Sequence, residues 1–271
     1  MIDAHVHLWN RSTDPQPWID PVSMAAIDRD FAAVDLEQML AETGAGAAVV
    51  VQATNSLAET RRLLAGAGPG AAGVVGWIDL TADAGAQLDS LGADGSQRLV
   101  GIRHLVHVDP DPGWLGRPGI DAALDVLGAR GLCFDLVLRP WQLSLAATVA
   151  DAHPATRFVL DHLGGVADST DDAGWESGLR ALAQRPNVSA KISGLAALVA
   201  DPVRLRRVTG VAIEAFGPNR LMYGSDWPLV RLTSGSAAWR TAVDELIADL
   251  NAGERTAILS GTASDCYGLA R

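Results

Sequence analysis

A chain of 271 residues with 48% hydrophobic and 20% charged residues has the composition of a folded globular protein, too rich in apolar side chains to stay disordered. Its formal charge of -11, with a pI near 4.9, produces a field that repels phosphate backbones and anionic bilayers, so nucleic acid and membrane are not the expected partners. Cys133 and Cys266 stand far apart without a CxxC spacing, which indicates neither a disulfide framework nor a cysteine zinc site. The opening "MIDAHVH" has no basic region leading into an apolar stretch, and a cytoplasmic location is expected.

The first apolar run, "IDAHVHL", ends in His5-Val6-His7, and the period of two along a strand places both imidazoles on one face. Such a pair suits a divalent metal, the alternative being two hydrogen-bonded structural histidines. Asp3 has the same spacing and either orients the pair or lies lower on the strand. The helical pattern "DLEQMLAET" follows, then the runs "AAVVVQA" and "GVVGWIDL", with the Gly/Ala-rich loop "AGAGPGAAG" between them. The fourth run, "LVGIRHLV", carries Arg103 and His104 on opposite faces, so one of them at most points inward, and Arg103 is the preferred one. The long loop "DPDPGWLGRPG" comes next and could cover a site.

Beyond the helical pattern "GIDAALDVLGARG" lies the fifth run, "LCFDLVL", in which Asp135 has no certain facing. His107 is equally ambiguous, and His153, at a helix end, reads as a surface histidine. "RFVLDHLG" supplies His162 at its end, "NVSAKISG" carries Lys191, and "LMYGSDW" leads to Asp226 before a proline turn. Lys191 is the only lysine in the chain. It shares its face with Ser189 and Ser193, which reads as a compact charge aimed at a substrate.

Eight strand-like runs alternating with helical segments predict an α/β fold, a single (β/α)8 TIM-type barrel over residues 1–271, with catalysis at the C-terminal ends of the strands. An open doubly wound sheet is the structural alternative, weakened because no GxGxxG follows the first run. His5, His7, His162 and Asp226 form a plausible ligand set for one zinc or manganese ion and the candidate catalytic group, with Asp226 also able to take a proton from water. A core histidine for His162 and a turn cap for Asp226 are the bland alternatives. Arg103, His104 and Lys191 are candidate substrate-binding groups, and Trp9, Trp141 and Trp227 candidate faces for a sugar-like ring. Trp18 and Trp175 read as loop packing.

On "DAHVHLW", "GIRHLVH", "FDLVLRPWQL", "RFVLDHLGG", "NVSAKISGL" and "LMYGSDWPL", the chain resembles the amidohydrolase superfamily over essentially its whole length. Within it the pattern is similar to the amidohydrolase-2 group, and most of all to sugar lactonases of the L-fucono-lactonase and L-rhamnono-lactonase type. The resemblance implies a (β/α)8 barrel and hydrolysis of a hydroxylated lactone, a small-molecule substrate, with homo-oligomer formation left open. The group also contains metal-dependent decarboxylases of unsaturated or aromatic acids. Binuclear members use a carbamylated lysine on the fourth strand and a histidine on the fifth; both are absent here. The resemblance therefore implies either no essential cofactor or a single divalent ion. In the implied chemistry Asp226 is general base, and an imidazole or the ion polarises the carbonyl.

Overall fold

Eight strands pair in parallel, each with the next along the chain: β1 (Ile2–Val6), β2 (Ala47–Val51), β3 (Ala71–Gly76), β4 (Leu99–His104), β5 (Cys133–Leu136), β6 (Arg157–Leu160), β7 (Val188–Ile192) and β8 (Leu221–Tyr223). The computed structural model describes residues 1–92 and 99–270. Helices α1 (Ala33–Thr43), α2 (Leu57–Gly66), α3 (Ala84–Gly92), α4 (Pro118–Ala129), α5 (Leu143–Ala152), α6 (Asp172–Ala183), α7 (Pro202–Phe216) and α8 (Ser236–Leu246) follow the strands in turn. The architecture is the expected (β/α)8 barrel, and among the described residues no helix is long and apolar enough to cross a membrane.

The strands are apolar on both faces because both are covered. One face, with Val50, Val74, Phe134, Phe158 and Leu221, packs on Leu36, Leu63, Leu124 and Leu179 of the helices. Each such side chain contributes roughly 1.5–3 kcal/mol by leaving water. The other face fills the barrel with Val49, Val51, Val75, Cys133, Val159 and Met222. A C-terminal segment of α9 (Ala252–Thr256), a wide turn at Ala257–Gly261 and α10 (Thr262–Tyr267) brings Ala263, Cys266, Tyr267 and Leu269 into this inner cluster. Cys133 Sγ lies 3.5 Å from Cys266 Sγ, and both thiols are free.

The interior is layered. Two residues along from Cys133 and Val159 on the same inward face stand Asp135 and Asp161, so an apolar layer gives way to an ionic one toward the C-terminal ends of the strands. His153, expected at the surface, is buried, with its ring nitrogens 2.8 Å from Asp125 and 3.3 Å from Asp121 of α4. A helix-end imidazole serves here to tie α5 to its neighbour.

Closure of the barrel falls to β1 and the segment after β8. Asp226 N–H donates to His5 O at 2.9 Å and His7 N–H to Trp227 O at 2.7 Å. Asp3 pins the same seam, its Oδ1 accepting from Ser225 N–H at 2.9 Å and His5 N–H at 3.2 Å. The inner cluster includes Ile2 and Ala4, the outer one Val6, and Asp3 pairs with Ala48 while Val6 pairs with Val50. Three steps on β1 thus span two on β2, a bulge that reverses the alternation and turns both His5 and His7 inward. Asp3 therefore does not share the imidazole face, and its role is in the seam.

Burial pushes the Asp3 carboxyl up to about 6, although Ser225 and His5 oppose the shift by donating to it. The folded protein holds this proton more tightly than the unfolded chain, so Asp3 withdraws stability as pH rises from about 4 to about 6. Asp3→Asn keeps the seam acceptor without the charge. In urea unfolding, the variant should gain up to about 3 kcal/mol relative to wild type between pH 4 and pH 7. Parallel stability curves would show that Asp3 ionises freely in the fold.

Candidate active site

The ionic layer is built around Lys191 on β7, whose side chain is fully buried. Its ammonium lies 2.6 Å from Asp135 Oδ2, 2.9 Å from Asp161 Oδ1 and 3.1 Å from His5 Nδ1. Arg103 on β4 donates to Asp161 Oδ2 at 2.8 Å and to the Gln52 carbonyl, while Gln52 returns a bond to Arg103 O at 3.0 Å. Two cations and two carboxylates, carried by β4, β5, β7 and the residue that follows β6, thus neutralise one another in the buried interior. Burial alone would lower the Lys191 pKa, but Asp135 and Asp161 hold it above its ordinary value. Burial likewise opposes ionisation of Asp161, yet Lys191, His5 and Arg103 hold that carboxyl well below the usual range. Asp135 faces fewer cations, and burial pushes it up to about 6.

Above this layer stand the three imidazoles and Asp226. The Asp226 Oδ1 lies 3.4 Å from His7 Nε2, 3.7 Å from His5 Nε2 and 3.9 Å from His162 Nε2. His7 Nδ1 is 2.8 Å from the Val51 carbonyl, which fixes the ring proton there and turns Nε2 toward the cluster. His162 Nδ1 is 2.8 Å from Ser193 Oγ. His5 has a cationic donor beside each ring nitrogen, Lys191 Nζ 3.1 Å from Nδ1 and Arg103 Nη1 3.4 Å from Nε2; in the tautomer with Nδ1–H toward Asp161 Oδ1 at 3.3 Å, Nε2 is bare. Desolvation keeps His5 and His162 below the ordinary imidazole range, so both are neutral at pH 7. Burial would raise the Asp226 carboxyl, but His162, His7 and His5 outweigh it and lower the pKa, leaving Asp226 ionised. The side chains of Asp226 and His162 are 13% and 19% exposed, which marks this end as the opening to solvent.

Two of these groups sit on left-handed backbone, His162 at φ 55 and Asp226 at φ 59, a conformation costing a non-glycine residue about 1–2 kcal/mol. Hydrogen bonds hold Asp226 there, from its own N–H to His5 O and from Val230 N–H to its carbonyl at 3.1 Å. The regular inward position after β6 belongs to Asp161, not His162, and the backbone twist at His162 swings the imidazole back over it. Gly224 makes room beneath: a Cβ there would sit 2.9 Å from the Cβ atoms of both His5 and Ser193.

His5, His162 and Asp226 each offer a ligand atom, all within 4.8 Å of one another, with His7 Nε2 alongside. Asp226 Oδ1 is buried and has no hydrogen-bond partner. An orphaned carboxylate oxygen facing imidazole nitrogens fits one small divalent cation. The fixed cations Arg103 and Lys191 beside His5 disfavour a second.

The amidohydrolase family model matches residues 2–269. The chain belongs to the amidohydrolase family. An L-fucono-1,5-lactonase from Burkholderia ambifaria is 37% identical over 239 residues, 85% of this chain and 81% of that protein. An L-fucono-1,5-lactonase from Burkholderia multivorans is 34% identical over 99% of this chain and 96% of its own length. The crystal structure of a Burkholderia multivorans amidohydrolase with bound zinc superposes with a TM-score of 0.91 at 32% identity, covering 99% of both chains. This member of the amidohydrolase family thus shares its barrel fold with that structure.

Several expected substrate contacts lie elsewhere. The ammonium of Lys191 is consumed by Asp135, Asp161 and His5, so it is not aimed at solvent. Arg103 does point inward, but its guanidinium is 3% exposed and bound to Asp161. His104 faces the loop that follows, stacked on Trp114 at 3.7 Å, accepting from Trp77 Nε1 at 3.1 Å and bonded to Asp109 at 2.9 Å. Trp9 is buried against Phe31 and Trp18, its Nε1 donating to Arg29 O at 2.8 Å, and Trp227 is buried against Phe31. Both rings buttress the loop after β1 and present no open face. Trp141 alone of the three is exposed, on the turn after β5. Asp161, Gln52 and Tyr267 were not expected in the site, and Asp135, whose facing the sequence left open, points into it. A lone aspartate within an apolar run, in phase with Val159 or Cys133, was the available signal for the two carboxylates.

If Lys191 is enclosed, Lys191→Arg should lower the thermal unfolding midpoint by several degrees, because the larger guanidinium has no room among three fixed acceptors. Lys191→Met should cost about 3–5 kcal/mol by leaving Asp135 and part of Asp161 unpaired. An unchanged midpoint in calorimetry with weakened substrate binding alone would restore the substrate-facing role.

Proposed function

We propose that this protein hydrolyses a hydroxylated, sugar-acid-like lactone, with Asp226 as general base. The observation that carries the reading is the contrast between two carboxylates. Asp161 is ion-paired with Lys191 at 2.9 Å and Arg103 at 2.8 Å, whereas Asp226, partly exposed and ionised, has no lysine or arginine partner and its Oδ1, without a hydrogen bond, faces only imidazole nitrogens at 3.4–3.9 Å. That oxygen is free to take a proton from water.

The resulting hydroxide attacks the lactone carbonyl, and the N–H groups of neutral imidazoles stabilise the oxyanion. Collapse breaks the ring C–O bond, and the proton held by Asp226 passes to the departing alkoxide, leaving an open-chain hydroxy acid. Arg103 and Lys191 act indirectly, by holding Asp161 and His5 in place. A divalent ion, zinc or manganese by the donor set, would be held by His5, His162 and Asp226 beside His7 and would supply Lewis acidity toward the carbonyl oxygen. In its absence the same tautomeric freedom of His5 supplies a donor. The names of the Burkholderia relatives support the lactone class, and the zinc in the solved amidohydrolase supports the cation site.

The test is a panel of aldonolactones followed by acid release in a pH indicator, on protein as purified and after chelation. Asp226→Asn should lower kcat by roughly 10²–10⁴ with circular dichroism unchanged. Turnover of no lactone, or full activity in the variant, overturns the proposal. Activity that vanishes with chelation and appears instead on an unsaturated or aromatic carboxylic acid would assign a decarboxylase.

A further inference from the structure

The two cysteines of the chain stand 133 residues apart, and the fold brings them into contact. Cys133 opens β5 and is fully buried, whereas Cys266, in α10, is 8% exposed. Their sulfurs lie 3.5 Å apart, and the Cys133 thiol donates to the Cys266 carbonyl at 3.0 Å, which leaves a sulfur lone pair for Cys266 Sγ. The same two segments are joined by Tyr267, whose hydroxyl donates to Asp135 Oδ2 at 2.8 Å. Access to the two sulfurs differs. Cys266 lines a hollow of about 210 Å³ with Arg157, Asn187, Asn219 and Thr262, at the N-terminal ends of β6 and β7 and so opposite the imidazole cluster. Cys133 is shut off behind it, and its hydrogen bond with Cys266 together with burial holds its thiol protonated, well above the ordinary thiol range.

We propose that Cys133 and Cys266 form an oxidation site: a small peroxide entering the hollow oxidises Cys266, and Cys133 resolves the product into a disulfide that staples the C-terminal plug to β5. The peroxide O–O bond breaks as one oxygen passes to the Cys266 sulfur, giving a sulfenic acid and one water. The Cys133 sulfur then attacks that sulfur, the S–O bond breaks, and the departing hydroxide takes the Cys133 proton as a second water. Two thiols thus lose two electrons while one peroxide is reduced to two waters. The sulfurs close from 3.5 Å to about 2.05 Å, a shift small enough for torsional adjustment in the two side chains. The bridge closes a loop of more than a hundred residues, which restricts the unfolded chain and fixes the plug. No step uses the imidazole cluster, so the inference stands apart from the lactonase reading.

The test exposes the reduced chain to hydrogen peroxide in native buffer, alkylates the remaining thiols and maps peptides without reductant. A peptide linked through Cys133 and Cys266 is expected, with both free thiols lost. The thermal unfolding midpoint should rise by several degrees and return when dithiothreitol is added. Cys266→Ser should leave Cys133 reduced at the same dose, and Cys133→Ala should carry Cys266 on to a sulfinic acid, since no partner resolves it. Cysteines that both stay alkylatable, or that are each over-oxidised without a linked peptide, overturn the inference. So does a link between two chains, seen as a dimer in non-reducing electrophoresis. Oxidation of Cys133 in Cys266→Ser at the wild-type rate overturns the route through the hollow, and a link formed with no rise in the midpoint overturns the staple.

Discussion

The polar cluster at the C-terminal ends of the strands rests on a neutral knot of buried charge. Lys191 and Arg103 meet Asp135 and Asp161 deep in the buried interior, on β7, β4, β5 and the residue that follows β6. Removing a single ion pair of this kind from water costs several kcal/mol per ion, so the four charges are tolerable only together. Strand register and charge pairing consequently enforce each other. A slip of one residue in any of these strands would send a charge into the helix-facing apolar layer. The knot also accounts for a lone lysine among arginines. A tetrahedral ammonium can address Asp135, Asp161 and His5 from three directions, whereas a planar fork of donors cannot.

With its cations spent inside, the barrel divides labour between its carboxylates by environment alone. Asp161 and Asp226 are chemically identical groups, both ionised, and both lie beside His5. One is locked by two full positive charges; the other faces neutral rings on strained backbone near solvent. The strain at His162 and Asp226 coincides with a layer of the interior that opens outward, consistent with backbone distortion being retained where side chains must converge.

Much of this was legible in the amino-acid order. The alternation of apolar runs with helical spacing specifies eight βα units, and His5, His7, His162 and Asp226, assigned to strand ends, do converge within a few ångströms. What remained hidden has physical causes. A β-bulge in β1 shifts the alternation by one residue, so Asp3 parts from the histidines despite its spacing. Left-handed backbone at His162 lets two adjacent residues, Asp161 and His162, both reach the site. Trp227, next to Asp226, and Trp9, two residues beyond His7, are both drawn onto Phe31 in the loop that follows β1, a packing that strand spacing does not reveal. Tyr267 gave no local signal at all, since its partner lies 132 residues earlier.

The seam between β1 and the segment after β8 sets an order of events on the ribosome. His5 and His7 are among the first residues made, yet the backbone bonds that place them, from Asp226 to His5 and from His7 to Trp227, wait for more than two hundred further residues. The plug that completes the interior comes later still. Through most of synthesis the nascent chain therefore carries a first strand with one edge unpaired and a half-compensated charge layer, so the native interior is assembled only after translation is almost over.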